Sequence, residues 1–288
     1  MEFHQLRYVC AVAETGSFSR AAERCQIAQP SLSQQVLKLE EHLGAKLFDR
    51  LGRSVRLTEA GRAFLPHARS ILDQMEAARA SVAQKNADVR GSVSLGVIPT
   101  ISPYLVPRYT ASFAKKFPDA KLRIVEDVTP VLIESLRELS IDIAILALPL
   151  RHKDLELFPL RTEPLFAVLP KDHRLAGATS LSLRDLRGEP FVMLRDGHCF
   201  RDLSLATCAR ARITPNIAFE SGQFSSLFGM VAAGVGISLV PEMAIDRNAG
   251  CRYIRLADAR ATRTVVAAVL RGRSFNRVQR ALLTGIQK

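Results

Sequence analysis

The sequence has no stretch approaching about 18 uncharged apolar residues, which excludes a membrane-spanning helix. Its start, MEFHQLRYVCAVAETG, lacks a basic segment followed by a clean apolar core and reads as a folded helix, not a signal peptide. Cysteines are few and odd in number: Cys10, Cys25, Cys199, Cys208 and Cys251. Such usage suits a reducing cytoplasm and argues against a disulfide framework. There is no Cys-x-x-Cys, His-Glu-x-x-His, phosphate loop or Gly-x-Gly-x-x-Gly, so no structural zinc, metal site or cofactor is expected. No nucleophile–base–orienter set appears either, which argues against an enzyme.

What is present is a chain of 288 residues, 48% hydrophobic and 24% charged, enough for two domains with cores of their own, with room for a small third. The formal net charge of +12 makes nucleic acid or an anionic surface the first partner to test. The excess is uneven. Residues 1–90 carry 13 Lys and Arg against 10 Asp and Glu, residues 91–246 carry 17 of each, and residues 247–288 carry 10 against 1.

Leu6, Val9, Cys10, Val12 and Ala13 recur at helical spacing and predict a first helix ending near Gly16. A second, capped by Ser19, carries the small inward residues Ala21, Ala22 and Cys25, which let two helices cross closely. Gln29, Pro30 and Ser31 open a third, ended by Gly44, with Leu32, Val36, Leu39 and Leu43 on its apolar face. Its other face offers Ser31, Ser33, Gln34, Gln35 and Lys38, short polar groups of the kind that meet base edges and phosphates. A small hairpin follows, with Arg50, Arg53 and Arg56 on or beside it, suited to a wing against the DNA backbone. The order predicts a winged helix-turn-helix over 1–58, with Gln29, Pro30, Ser31, Ser33, Gln34, Lys38, Arg50 and Arg53 as the DNA-binding residues. Cys10 and Cys25 read as core thiols.

Thr58 caps a long helix in a linker segment over 59–90, with a stripe from Phe64 to Val82 too long to bury against so small a domain. Pairing with a second copy is the natural solution, against the alternative of a rigid spacer. From Ser92 the pattern becomes strand–helix–strand, predicting parallel sheets covered on both faces. Two Rossmann-like α/β lobes of the periplasmic-binding-protein type are expected, lobe I over 91–161 plus 264–288 and lobe II over 162–263. A ligand would sit between them at the strand ends. Thr100, Ser102 and Thr129 fall where loops open onto that crevice, or serve as helix caps. Gly229, Gly234 and Gly236 read as turn and packing positions.

One stretch reads as chemistry: Leu194 to Asp202, containing His198 and Cys199, with Cys208 nine residues beyond Cys199. A cysteine near a helix start, with Arg195, His198 and Arg201 as candidate cations, can be reactive as a thiolate. Oxidation to a sulfenic acid would then be resolved by Cys208. In a continuous helix nine residues separate the Cα atoms by about 13 Å, whereas a disulfide wants them within about 7 Å. Closing the bond would require the segment to rearrange. The alternative is a pair of core cysteines on an ordinary helix.

The segment FSRAAERCQIAQPSLSQQVLKLEEHLGAKLFDR, followed by RLTEAG, resembles the LysR-type transcriptional regulators, and the likeness runs through the linker helix and the two lobes. It implies a bacterial, cytoplasmic, promoter-binding activator or repressor that assembles as dimers and tetramers, with RNA polymerase as a further partner. Within the family, GVIPTISPYLVP at 96–107, LRDGHCFRD at 194–202 with Cys208, and MVAAGVGISLVP at 230–241 are similar to the hydrogen-peroxide sensors of the OxyR type. That likeness implies Cys199 as the peroxidatic and Cys208 as the resolving thiol, with Thr100, Thr129, His198, Asp202 and Arg263 around the peroxide. Arg195 departs from it, standing where an acidic residue is usual, and the chain is somewhat short at its C-terminus. The competing expectation is a LysR-type regulator governed by a small metabolite between the lobes.

Overall fold

The computed structural model describes residues 1–51, 54–82 and 91–287, with backbone only at 50, 51, 54, 73 and 76–82. It divides into two compact units. One is built on Met1–Gly91, with Arg137–Ser140 and Phe275–Val278 grouped with it; the other holds Ser92–Leu136, Ile141–Ser274 and Gln279–Lys288.

In the first unit, helix α1 (Phe3–Thr15) buries Leu6, Val9, Cys10 and Val12 and stops at Gly16, whose φ of 63° is a left-handed cap. Helix α2 (Phe18–Arg24) is capped by Ser17, not by Ser19: the Ser17 backbone is extended, and its hydroxyl accepts from Arg20 N–H at 3.4 Å. Ser19 lies one residue inside the first turn, so it cannot take the extended cap conformation. Ala21 and Ala22 are buried where the three helices meet. Helix α3 (Gln29–Leu43) buries Leu32, Val36 and Leu39 and ends at Gly44, φ 68°. Strands β1 (Phe48–Leu51) and β2 (Ser54–Leu57) form the hairpin, with Phe48 opposite Leu57.

The hairpin is tied to α3 by Glu40. This buried carboxylate accepts the backbone N–H of Leu47 at 2.6 Å and of Phe48 at 3.2 Å. Helix α4 (Glu59–Val82) starts under the Thr58 hydroxyl, which accepts from Gly61 N–H at 2.9 Å. Gly61 admits no side chain, because a Cβ there would stand 2.0 Å from the Leu47 carbonyl oxygen. Leu65 and Ala68 are buried in the helical core, and Phe64, Ile71 and Leu72 pack partly against it. Among the described residues, Leu72 is the last of α4 to pack against this core, and Gln74 is exposed.

The second unit begins with β3 (Gly91–Val97), α5 (Ser102–Lys116), β4 (Ala120–Glu126), α6 (Thr129–Arg137) and β5 (Ile143–Ala147). The long β6 (Leu155–Pro170) leads to β7 (Pro190–Leu194), α7 (Cys199–Arg210), β8 (Asn216–Ser221), α8 (Phe224–Ala232), β9 (Ser238–Pro241) and β10 (Cys251–Arg255). Strand β11 (Thr262–Leu270) and helix α9 (Arg277–Ile286) close the chain.

The main sheet runs β10-β6-β11-β5-β3-β4, with β9 also on β6. It is mixed, not parallel throughout: β3 and β5 are parallel, but β11 is antiparallel to both β5 and β6. Two strands make the difference by passing from one lobe to the other. The first half of β6 pairs with β11 in the first lobe, and its second half carries β9 and β10 in the second. The second lobe also holds the parallel pair β7–β8, joined to the rest by a bridge between Phe191 and Ile237. Phe191, Phe200, Phe224 and Phe228 fill its core.

Candidate redox site and DNA-reading face

On α3 the residues Gln29, Pro30, Ser31, Gln34 and Lys38 are exposed, and Ser33 is half-buried. Gln35 is instead held against α1, its Oε1 accepting from Gln5 Nε2 at 3.1 Å. Arg56 is exposed on β2. Arg53 and the side chain of Arg50 lie outside the described residues.

In the second unit Cys199 is the first residue of α7 and His198 is its cap position. His198 is buried, and burial together with the Arg195 guanidinium holds its imidazole below the usual range, so it is neutral at pH 7. Burial also dominates at Cys199 and pushes its thiol up. The Thr129 hydroxyl and the Arg263 guanidinium pull it back towards the thiolate, while Asp202, exposed and one turn along, opposes them. Thr129 Oγ1 is buried without a hydrogen-bond partner, and it lies near enough to Cys199 to favour the thiolate.

The cation acting on the sulfur is therefore Arg263, from β11. Among the neighbours weighed from sequence, Arg201 is consumed by Asp196 at 2.8 Å and Glu220 at 2.6 Å. Arg195 is exposed and lies over Gly222, where an added Cβ would stand 3.6 Å from its Nε.

Arg263 is 1% exposed. Its Nη1 donates to the hydroxyl and carbonyl oxygens of Thr100, both at 3.3 Å, and its Cζ lies 5.6 Å from the centre of the Phe200 ring. The fork on its other edge is held by Glu163, a residue that sequence reasoning missed. Glu163 stands alone between Thr162 and Pro164, with no periodic or motif signal, and its partner is 100 residues away.

Cys208 is fully buried on the same helix, and burial pushes its thiol up to about 11. Both thiols are free. Nine helical steps put their Cα atoms about 13 Å apart, too far for a bond unless the helix opens. Two side chains already compete with the helix ladder: Ser204 donates to Phe200 O at 2.9 Å and Thr207 to Leu203 O at 2.7 Å. Beside this site lies a cleft of about 330 Å³, lined by both lobes through Pro99, Thr100, Tyr104, Glu126, Leu194 and Phe224.

Part of the basic C-terminal segment is paired within the chain. Besides Arg263, Arg273 pairs with the buried Asp142, Arg260 with Asp258, and Arg271 donates to the carbonyls of Lys153 and Leu155. Among the described residues no group of three metal-ligating side chains gathers, and no helix is long and apolar enough to cross a membrane.

A helix-turn-helix with a wing, followed by a two-lobed α/β unit, defines a ligand- or signal-responsive transcriptional regulator. Residues 3–62 match the bacterial regulatory helix-turn-helix of the lysR family, and residues 86–288 match the LysR substrate binding domain. The chain belongs to the LysR family of transcriptional regulators. It is 35% identical over 245 residues to the DNA-binding transcriptional dual regulator OxyR of Escherichia coli K12, covering 85% of this chain and 80% of that one. Among solved structures it is similar to a full-length OxyR of Pseudomonas aeruginosa carrying a cysteine-to-aspartate substitution (TM-score 0.81, 31% identity, 100% of this chain and 95% of that one). It is also similar to a Corynebacterium glutamicum OxyR cysteine-to-serine mutant with hydrogen peroxide bound (TM-score 0.65, 30% identity, 99% and 93%).

Proposed function

We propose that this regulator senses hydrogen peroxide through Cys199 and converts its oxidation into a reversible Cys199–Cys208 disulfide that rearranges the second unit. The observation that carries the reading is the sulfur's setting: Cys199 opens α7, and the Thr129 hydroxyl and the Arg263 guanidinium partly offset the burial that disfavours its thiolate. In the first step the sulfur attacks one peroxide oxygen, an S–O bond forms and the O–O bond breaks. Sulfur gives up two electrons, and the other oxygen leaves as hydroxide, which takes a proton to become water. In the second step the Cys208 sulfur attacks the sulfenic sulfur, the two sulfurs join, and the hydroxyl leaves as water with the proton that Cys208 gives up. Thr100, Thr129, His198, Asp202 and Arg263 form the peroxide pocket in this reading.

The exposed face of α3, with the wing arginines, reads promoter DNA from residues 1–58. The segment 59–90 pairs two copies, lobes at 91–161 plus 264–288 and 162–263 carry the signal, and dimers assemble into tetramers that meet RNA polymerase in the cytoplasm. The apolar stripe of the sequence from Phe64 to Val82, long for so small a unit, supports the pairing.

A second reading has its own observation. The inter-lobe cleft of about 330 Å³ is large for peroxide and suits a small metabolite. The two are separated by mass spectrometry of each thiol after graded peroxide, with promoter binding measured on the same samples. Sensing through Cys199 gives a Cys199–Cys208 bond at near-stoichiometric peroxide and a changed footprint. A Cys199→Ser protein that responds to peroxide as the wild type does would refute it.

A further inference from the structure

Glu163 and Arg263 face each other across β6 and β11, the two strands that pass between the lobes. Both side chains are fully buried. Arg263 Nε and Nη2 donate to Glu163 Oε1 at 2.9 and 2.7 Å, and Glu163 Oε2 accepts the backbone N–H of Met243 at 2.8 Å. One carboxylate therefore spans a guanidinium fork and the short 3₁₀ turn Glu242–Ala244 that follows β9. The fork is gripped along one edge, which turns Nη1, on the other, to Thr100 and keeps the guanidinium near Phe200, the neighbour of Cys199. An arginine held on one edge by a planar carboxylate loses its alternative orientations, and the Met243 tie denies Glu163 its own. Burial works against the Arg263 charge, and the Glu163 carboxylate is the main group offsetting it.

We infer that Glu163 is a positioning residue for the oxidation of Cys199: it never touches peroxide, but aims and holds Arg263 at the reacting sulfur. The inference rests on the peroxide reading above. As the O–O bond breaks, the departing oxygen gains negative charge, and a fixed donor counts most at that moment. A donor displaced by about 1 Å forfeits much of that advantage.

The test uses the full-length chain with Glu163→Gln, which keeps the volume and one acceptor oxygen but cannot accept from both Arg263 and Met243. Two rates are read at Cys199 by mass spectrometry: sulfenic acid formation with hydrogen peroxide, and limiting alkylation by iodoacetamide above the thiol's pKa. Alkylation needs the thiolate but no aimed donor. The expected result is peroxide oxidation slowed about 10- to 100-fold with limiting alkylation unchanged. A variant oxidised as fast as the wild type, or one in which both rates fall together, overturns the inference, the latter showing a merely structural role. Should Glu163→Gln lack a cooperative melting transition, Glu163→Asp is judged by the same two rates, since it keeps the charge but is a methylene too short for both partners. A wild-type thiol inert to peroxide sinks the sensor reading and this inference together, whereas failure in the variant alone sinks only this one.

Discussion

If the disulfide forms only after α7 opens, loosening the helix must speed bond formation and nothing before it. Ala206 lies inside α7 on its exposed face, so Ala206→Gly changes helix propensity without disturbing the core. Glycine costs a helix interior about 1 kcal/mol relative to alanine. With RT of about 0.6 kcal/mol, the opened form becomes roughly fivefold more populated, and the sulfenic acid should convert to disulfide roughly fivefold faster. The first step should not change, because Cys199, His198 and Asp202 sit at the start of α7, more than a turn from its interior, and Thr100, Thr129 and Arg263 lie outside the helix interior. Rapid-quench mass spectrometry, following the sulfenic and disulfide forms of the Cys199 peptide after a single peroxide pulse, separates the two steps. Disulfide formation at the wild-type rate, with the helix shown to be less stable, would refute the requirement for opening. Acceleration of both steps would show instead that the substitution had loosened the pocket.

Because burial raises the Cys199 thiol above its ordinary value of 9.0, the thiolate is a minor form throughout the neutral range. Its oxidation rate should climb about tenfold per pH unit from pH 6 to 8, and a plateau within that range would mean that Thr129 and Arg263 outweigh burial. In the first unit, Glu40→Ala leaves the Leu47 and Phe48 amides without their acceptor and should cost about 2 kcal/mol of stability. Thermal melting of the variant reads this directly, and an unchanged midpoint would show that water replaces the carboxylate at no cost.

The helical unit was legible because its signals are local. Leu32, Val36 and Leu39 recur at helical spacing, Gly44 marks a C-terminus, and the Thr58 cap lies three residues from the amide it serves. The second cap was placed at Ser19 instead of Ser17, since sequence alone does not say which serine adopts the extended backbone. The first half of β6 was illegible for a different reason. Pro159 and Pro164 read as loop punctuation, and proline donates nothing to a ladder. The sheet accommodates them with an irregularity between Val265 and Val266, where Arg161 and Pro159 face consecutive residues of β11. Strand β10 escaped notice because exposed Arg252 and Arg255 leave Ile254 and Cys251 as its only buried positions. Around the sulfur, Thr100, Thr129 and Cys199 stood out by their places in the chain and Arg263 only through resemblance, and the structure joins Arg263 to Thr100. Glu163 had no local pattern to betray it, since its meaning depends on a strand pairing across 100 residues.

The deep burial of Cys208 has a consequence for what the molecule ignores. Thiol–disulfide exchange needs a thiolate that a partner can reach, and a thiol at about 11 with no exposed surface offers neither. While α7 is closed, oxidised small thiols in the surrounding solution have no route to this sulfur, whatever their concentration. Cys208 is thus insulated from small thiols in solution while α7 is closed, and in the proposed mechanism its chemistry has to begin at the less buried Cys199.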